Sequence, residues 1–124
     1  MPHPHFILLY VDSPRRSGAF YADLLGCAPV EQSPTFCLFV LQSGLRLGLL
    51  SRHTIEPAPG AAGGGTELGV EVADAAAVDA LYADWGARDI RVLQKPVDLD
   101  FGRTFVIIDP DGHRLRVFAP AATP

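Results

Sequence analysis

The chain has 124 residues, 48% hydrophobic and 19% charged, which predicts a globular domain with a packed core rather than a disordered protein. A net charge of -4 without basic runs argues against a nucleic-acid partner, and no apolar stretch reaches membrane-span length. The amino terminus is too polar for a signal peptide. Cys27 and Cys37 form no CxxC motif or disulfide framework, so we expect reduced thiols in a cytoplasmic protein.

The first half of the chain predicts strands around one helix. Residues 6–11 are an apolar run with β character. Ser13 and Pro14 are typical of a helix start, and the predicted helix covers Arg15–Leu25 and ends at Gly26. The strands predicted after it cover residues 29–33, 35–41 and 45–50, with a turn at residues 42–44.

The second half predicts the same order of elements after a loop rich in glycine and proline, residues 52–65. Asp74 is expected to cap a helix that runs to Trp85. The strands predicted around this helix cover residues 67–72, 90–93, 101–108 and 113–118.

The last two of these strands predict a hairpin, because Asp109-Pro110-Asp111-Gly112 between them is a tight-turn sequence. If Asp109 and Gly112 flank the turn, Phe105 lies opposite Arg116 and Arg103 lies opposite Phe118. One face of the hairpin then carries arginines among aromatic and aliphatic side chains: Arg103, Phe105, Ile107, Arg114, Arg116 and Phe118.

An internal repeat links the two halves. Ala19-Phe20-Tyr21-Ala22-Asp23 corresponds to Ala80-Leu81-Tyr82-Ala83-Asp84, and the same offset aligns residues 6–11 with residues 67–72. We therefore predict an α+β fold of two βαβββ modules in one domain. The expected bounds are residues 5–51 for module one, 52–65 for the linker and 66–120 for module two. Each helix covers one face of its own sheet, and the remaining faces are expected to enclose a ligand cleft.

Alternation along the strands predicts which side chains line the cleft. The predicted lining is aromatic and aliphatic, with two glycines that leave room and a few charges. Its members are Phe6, Leu8, Phe39, Gly48, Leu50, Glu67, Gly69, Phe101, Arg103, Phe105, Arg116 and Phe118. An unpaired, partly buried arginine is costly, so we expect an anion beside Arg116. That anion is either the carboxylate of Glu67 or an anionic ligand.

The duplicated pattern resembles the vicinal oxygen chelate superfamily, which includes glyoxalases, extradiol dioxygenases and bleomycin- and fosfomycin-resistance proteins. Further shared features are Arg16-Ser17 and Phe20-Tyr21 in the first helix, Leu25-Gly26 after it, and the closing Asp109-Pro110-Asp111-Gly112-His113. The resemblance covers residues 6–120. Within the superfamily it is greatest to phenazine-antibiotic resistance proteins, through Tyr10-Val11 and Phe101-Gly102-Arg103-Thr104-Phe105. Those relatives are cytoplasmic dimers that sequester a planar tricyclic antibiotic without metal or catalysis.

The resemblance also implies where a metal would bind. The positions that ligate a divalent metal in the superfamily's enzymes align with Phe6, Gly48, Glu67 and Arg116. Only Glu67 has a suitable donor, because phenylalanine and glycine side chains offer none and arginine is a permanent cation. We therefore expect no metal and no other cofactor.

The leading hypothesis is a non-catalytic binding protein for a planar, aromatic and anionic small molecule, with Arg103 or Arg116 holding its carboxylate. One alternative is a metal-dependent lyase or dioxygenase with ligands such as Glu67, Glu71, Cys37 and a histidine. Others are a metal-free enzyme with a glutamate as general base, and a scaffold without a ligand. We also expect a homodimer, in which the modules either pair within one chain or are exchanged between the two chains.

Overall fold

The structure is a computed structural model that describes residues 2–121. Within these residues the chain forms two compact units, the first ending at Ala62 and the second beginning at Gly63. Each unit contains one helix and a four-stranded mixed sheet, in the order strand, helix and three strands. The predicted α+β fold with a duplicated βαβββ pattern is confirmed.

In the first unit the sheet order is β1-β4-β3-β2, and β1 runs parallel to β4 whereas the other pairs are antiparallel. Ser13 caps the helix by accepting a hydrogen bond from the backbone N–H of Arg16, and Gly26 ends it in the left-handed conformation. The elements are β1 (Phe6–Val11), α1 (Pro14–Leu25), β2 (Glu31–Gln32), β3 (Phe36–Val40) and β4 (Arg46–Ser51).

The second unit repeats this arrangement with the sheet order β5-β8-β7-β6, in which β5 and β8 are parallel. Asp74 accepts a hydrogen bond from the backbone N–H of Ala77 and caps the helix, as predicted. The elements are β5 (Glu67–Glu71), α2 (Ala75–Gly86), β6 (Arg91–Leu99), β7 (Gly102–Ile108) and β8 (Arg114–Pro120). The edge strand β6 is much longer than predicted and continues through Pro96, which an edge strand tolerates.

The register of the closing hairpin differs from the prediction by one residue. Asp109 and His113, rather than Asp109 and Gly112, flank the loop, and Gly112 has a φ of 83°. This is a three-residue loop with a left-handed glycine, not a two-residue turn. The extra loop residue pairs Phe105 with Val117. Because side chains alternate, a shift of one residue moves all of β7 to the opposite face relative to β8.

The placement of Phe105 and Arg103 beside Arg116 was therefore wrong. Both side chains lie on the face of β7 that carries α2. Phe105 is fully buried, with its ring edge-on to Tyr82 and Trp85 of α2 at centroid distances of 5.3 and 5.6 Å. Phe105 is thus the centre of the second unit's core and not a ligand contact.

Phe39 was assigned to the ligand site by pairing β3 with β4 across a two-residue turn at Ser43-Gly44, and this register is also wrong by one residue. The turn between β3 and β4 also has three residues and a left-handed glycine, Gly44 at φ 94°. Phe39 consequently pairs with Leu47, and Cys37 pairs with Leu49. All four side chains are buried on the α1 side of the sheet, so the prediction that Phe39 lines a ligand site was wrong.

Candidate ligand-binding surface

Each sheet has a second face, opposite its helix, which we call the open face. In the first unit the open face carries Phe6, Leu8 and Leu50, as the alternation predicted. Their neighbour Gly48 lies directly beside Leu8 on the adjacent strand. A Cβ on Gly48 would come within 2.6 to 3.0 Å of Leu8, Phe6 and Phe36. The glycine therefore allows these apolar side chains to pack flat over the strand.

Phe36 is an aromatic contributor that the sequence prediction missed. It pairs with Leu50 and so shares the open face. Phe6 and Leu8 stay 38% and 49% exposed in the chain. The open face of the first unit is thus an apolar surface available for contact.

In the second unit, Glu67 and Arg116 form an ion pair on the open face, which is one of the two possibilities that the sequence left open. The Arg116 Nε donates to Glu67 Oε1 at 2.7 Å, and Nη2 donates to Oε2 at 2.9 Å, so both carboxylate oxygens are engaged. The arginine and glutamate side chains are 22% and 31% exposed. Gly69 pairs with Arg116 across β5 and β8, and the ring of Phe118 is the group nearest to the position that a side chain on Gly69 would take.

The pair has a clear electrostatic consequence. The hydrogen bonds from Arg116 lower the pKa of Glu67, and the positive charge of Arg116 lowers it further. Partial burial of the carboxylate opposes both effects. Glu67 in turn raises the pKa of Arg116. Both groups are charged at neutral pH, so together they carry no net charge.

Two further side chains complete the contacts of Arg116, and the sequence prediction missed both. Arg116 Nη1 donates to the Thr104 hydroxyl at 3.1 Å and to the Gln94 amide oxygen at 3.4 Å. The Thr104 hydroxyl donates to the backbone carbonyl of Val117 at 2.8 Å. Thr104 could have been placed only with the correct hairpin register, and Gln94 only with the full length of β6.

Aromatic rings border the guanidinium. The Phe101 ring centroid lies 5.7 Å from Arg116 Cζ, and Phe101 meets Phe118 edge-on at 6.4 Å between centroids. Phe101 is 43% exposed, which leaves much of its ring accessible. Phe101, Phe118, Arg116 and Glu67, all predicted as site residues, are thus brought together on one surface of the second unit.

Arg103, by contrast, belongs to a separate network. Its Nε donates to Asp79 of α2 at 2.7 Å and its Nη1 donates to Asp98 of β6 at 3.1 Å. These two hydrogen bonds raise the pKa of Arg103. The arginine connects the helix to the edge of the sheet, and the prediction that it faces a ligand together with Arg116 was wrong.

The residues at the superfamily's metal positions do not fit a metal ion. Phe6 and Gly48 have no donor atom, and both oxygens of Glu67 already accept hydrogen bonds from Arg116. Binding a divalent ion at Glu67 would require displacing the permanent cation of Arg116. Residues 2–121 contain no group of three or more histidine, cysteine or acidic side chains arranged to hold a metal ion.

Comparison with known proteins places this architecture in a family. Residues 3–117 match the Glyoxalase/Bleomycin resistance protein/Dioxygenase superfamily. The phenazine antibiotic resistance protein EhpR of Enterobacter agglomerans is 33% identical over 119 residues, which cover 92% of this chain and 89% of that protein. The predicted similarity to the phenazine-antibiotic resistance group is confirmed.

Solved structures show the same fold. A protein from Agrobacterium tumefaciens, determined by NMR in solution, is 53% identical, with a TM-score of 0.89 over 98% of this chain and 100% of that chain. A glyoxalase/bleomycin resistance protein/dioxygenase from Nocardioides is 24% identical, with a TM-score of 0.85 over 100% of this chain and 87% of that chain, and shares the fold. Neither helix within residues 2–121 is long and apolar enough to cross a membrane. The chain belongs to the Glyoxalase/Bleomycin resistance protein/Dioxygenase superfamily.

Proposed function

We propose that the chain binds and sequesters a planar, aromatic and anionic small molecule of the phenazine-antibiotic class, without a metal and without catalysis. The observation that carries the proposal is the exposed Phe101 ring beside Arg116 and Phe118 on the open face of the second unit. A flat ligand ring gains stacking and apolar contact on such a surface. The relationship to a phenazine antibiotic resistance protein supports the same ligand class and a role in drug resistance.

The contacts of Arg116 change the assignment of the anion-binding group. Its guanidinium has five N–H donors, and four of them already serve Glu67, Thr104 and Gln94. Its charge is compensated by Glu67. A ligand carboxylate would therefore meet one remaining N–H and a neighbouring negative charge, which is a poor site for an anion.

Arg114 is a better partner for the ligand carboxylate. It lies two residues before Arg116 on the same face of β8 and opposite Glu67 on β5. Arg114 forms no ion pair or hydrogen bond with any side chain in the part of the chain that the structure describes. The charge of Arg114 does act on Glu67, but Arg116 already compensates that carboxylate and occupies both of its oxygens. One positive charge is therefore left in excess at Arg114, and its N–H groups can bind a ligand carboxylate by paired hydrogen bonds.

The test is a fluorescence titration with phenazine-1-carboxylate and with uncharged phenazine. We expect the wild type to bind the carboxylate at least tenfold more tightly, and Arg114→Gln to remove most of that advantage. Arg15→Gln, which removes an exposed arginine of α1, is the matched control and should leave both affinities unchanged. Failure of the wild type to bind either compound at high micromolar concentration would overturn the proposal.

The proposal includes a homodimer acting in the cytoplasm, where the free thiols of Cys27 and Cys37 persist. Support for the dimer comes from the apolar side chains on the open face of β1, where Phe6, Leu8 and Tyr10 are 38%, 49% and 39% exposed. Such a continuous apolar stripe is typical of a contact surface. Light scattering after size exclusion should give twice the chain mass at micromolar concentration, and a monomer mass there would exclude the dimer.

A further inference from the structure

We infer that Gln94 determines ligand specificity, by donating a hydrogen bond from its side-chain amide to an acceptor atom at the edge of a heteroaromatic ring. This inference rests on the proposed binding function of the same surface. It narrows the ligand class from planar aromatic molecules in general to those with a ring nitrogen or a carbonyl oxygen at the edge.

Two irregularities in β6 place Gln94 on the open face. The pairing of β6 with β7 shifts by one residue between Val92 and Gln94, and shifts again between Gln94 and Val97. Without the first shift, Leu93 would lie opposite Val106 and beside Arg116. The bulge replaces that leucine with the glutamine. β-Bulges often re-aim a side chain next to a functional site, and a pair of them around one polar residue indicates such a role.

Arg116 then determines how the amide of Gln94 is oriented. A guanidinium only donates hydrogen bonds, so the group that faces it at 3.4 Å must be the amide oxygen of Gln94. The amide nitrogen is left with two N–H donors. No acceptor for them lies within residues 2–121, and the partly exposed side chain leaves them open to solvent or to a ligand.

The other groups around Arg116 cannot supply these donors. Thr104 has already given its hydroxyl proton to the backbone carbonyl of Val117, and the Glu67 carboxylate has no proton to give. Arg114 is assigned to the ligand carboxylate, so beyond the one remaining N–H of Arg116 the donor left for the edge of the ring is Gln94. A ligand without an edge acceptor would cover the amide and leave its N–H groups without a partner, which is costly.

The position of the rings brings the ligand edge to this amide. Phe101 and Gln94 both contact the guanidinium of Arg116, one through its ring and the other through its amide oxygen. A tricyclic ligand that contacts Phe101 and extends across Arg116 would bring its edge to Gln94. An acceptor at the ring edge, such as the nitrogen of a phenazine, is the group that the amide can bind.

The experiment compares two tricyclic carboxylates that differ at the ring nitrogens, phenazine-1-carboxylate and anthracene-1-carboxylate. We expect the wild type to prefer the phenazine by about tenfold, the effect of one hydrogen bond in a partly buried site. Gln94→Leu should abolish this preference, and so should Gln94→Glu, which keeps an acceptor for Arg116 but has no donor. Gln42→Leu, at an exposed glutamine of the first unit, should leave the preference unchanged.

The ratio of the two affinities within one variant is insensitive to a partial loss of folded protein, because misfolding weakens both equally. Equal binding of the two compounds by the wild type, or a preference that survives in Gln94→Leu, would overturn the role of Gln94 while the proposed function stands. Binding of neither compound by the wild type would instead overturn the proposed function, and this inference with it.

Discussion

Replacing Phe105 and Phe101 in turn by alanine separates the observed hairpin register from the alternative one. Phe105 is completely buried and its ring contacts Tyr82 and Trp85, so Phe105→Ala removes a core side chain from between β7 and α2. Large-to-small changes of this kind cost about 3–5 kcal/mol of unfolding free energy. Phe101 is 43% exposed and its contact with Arg116 contributes only about 0.5–1 kcal/mol.

Urea unfolding followed by circular dichroism measures both values, and titration with phenazine-1-carboxylate measures binding. We expect Phe105→Ala to be strongly destabilised, and Phe101→Ala to fold almost as stably as the wild type but to bind the ligand at least tenfold more weakly. The reverse pattern, in which Phe105→Ala is stable and loses binding, would mean that Phe105 faces the ligand. The hairpin would then have the two-residue turn, and the assignment of faces in the second unit would be refuted.

Three further predictions follow from single positions. Glu67→Gln should lower the free energy of unfolding by about 1–3 kcal/mol at pH 7. The pKa of Glu67 is lowered in the folded protein, so this loss should be complete above the ordinary pKa of a glutamate. It should shrink as the pH falls through the lowered pKa. A difference in unfolding free energy that is independent of pH would contradict the ion pair. Gly102→Ala should prevent stable folding, because φ at this position is 137° and the new Cβ would overlap the backbone of β8. In Gly69→Ala the nearest atom lies 3.6 Å from the new Cβ, so the melting temperature of this control should be close to that of the wild type. Cys27 is partly exposed and should react with a thiol reagent in the native state. Cys37 is buried, which raises the pKa of its thiol, and should react only after unfolding. Equal reaction rates of the two thiols in the folded protein would contradict this.

Several features could be predicted from local sequence because local physics decides them. Ser13 and Asp74 start helices where their side chains cap the backbone, and Gly26 ends one in the left-handed conformation. The internal repeat was enough to predict the duplicated fold. Alternation along two parallel neighbouring strands placed Glu67 and Arg116 on the same face, which needs no knowledge of a turn, but it left open whether they pair.

Other features depend on the tertiary structure. A loop between two strands can have two or three residues with nearly the same sequence, and that single residue decides whether Phe105 faces the helix or the open face. The bulges that bring Gln94 to Arg116 arise where β6 adapts to its neighbour, and no residue pattern within β6 alone predicts them. Likewise, only the folded chain shows that Asp79 and Asp98 neutralise Arg103. Sequence thus determined the elements and their order, whereas the pairing of strands decided which side chains share a surface, because register depends on contacts between residues far apart in the chain.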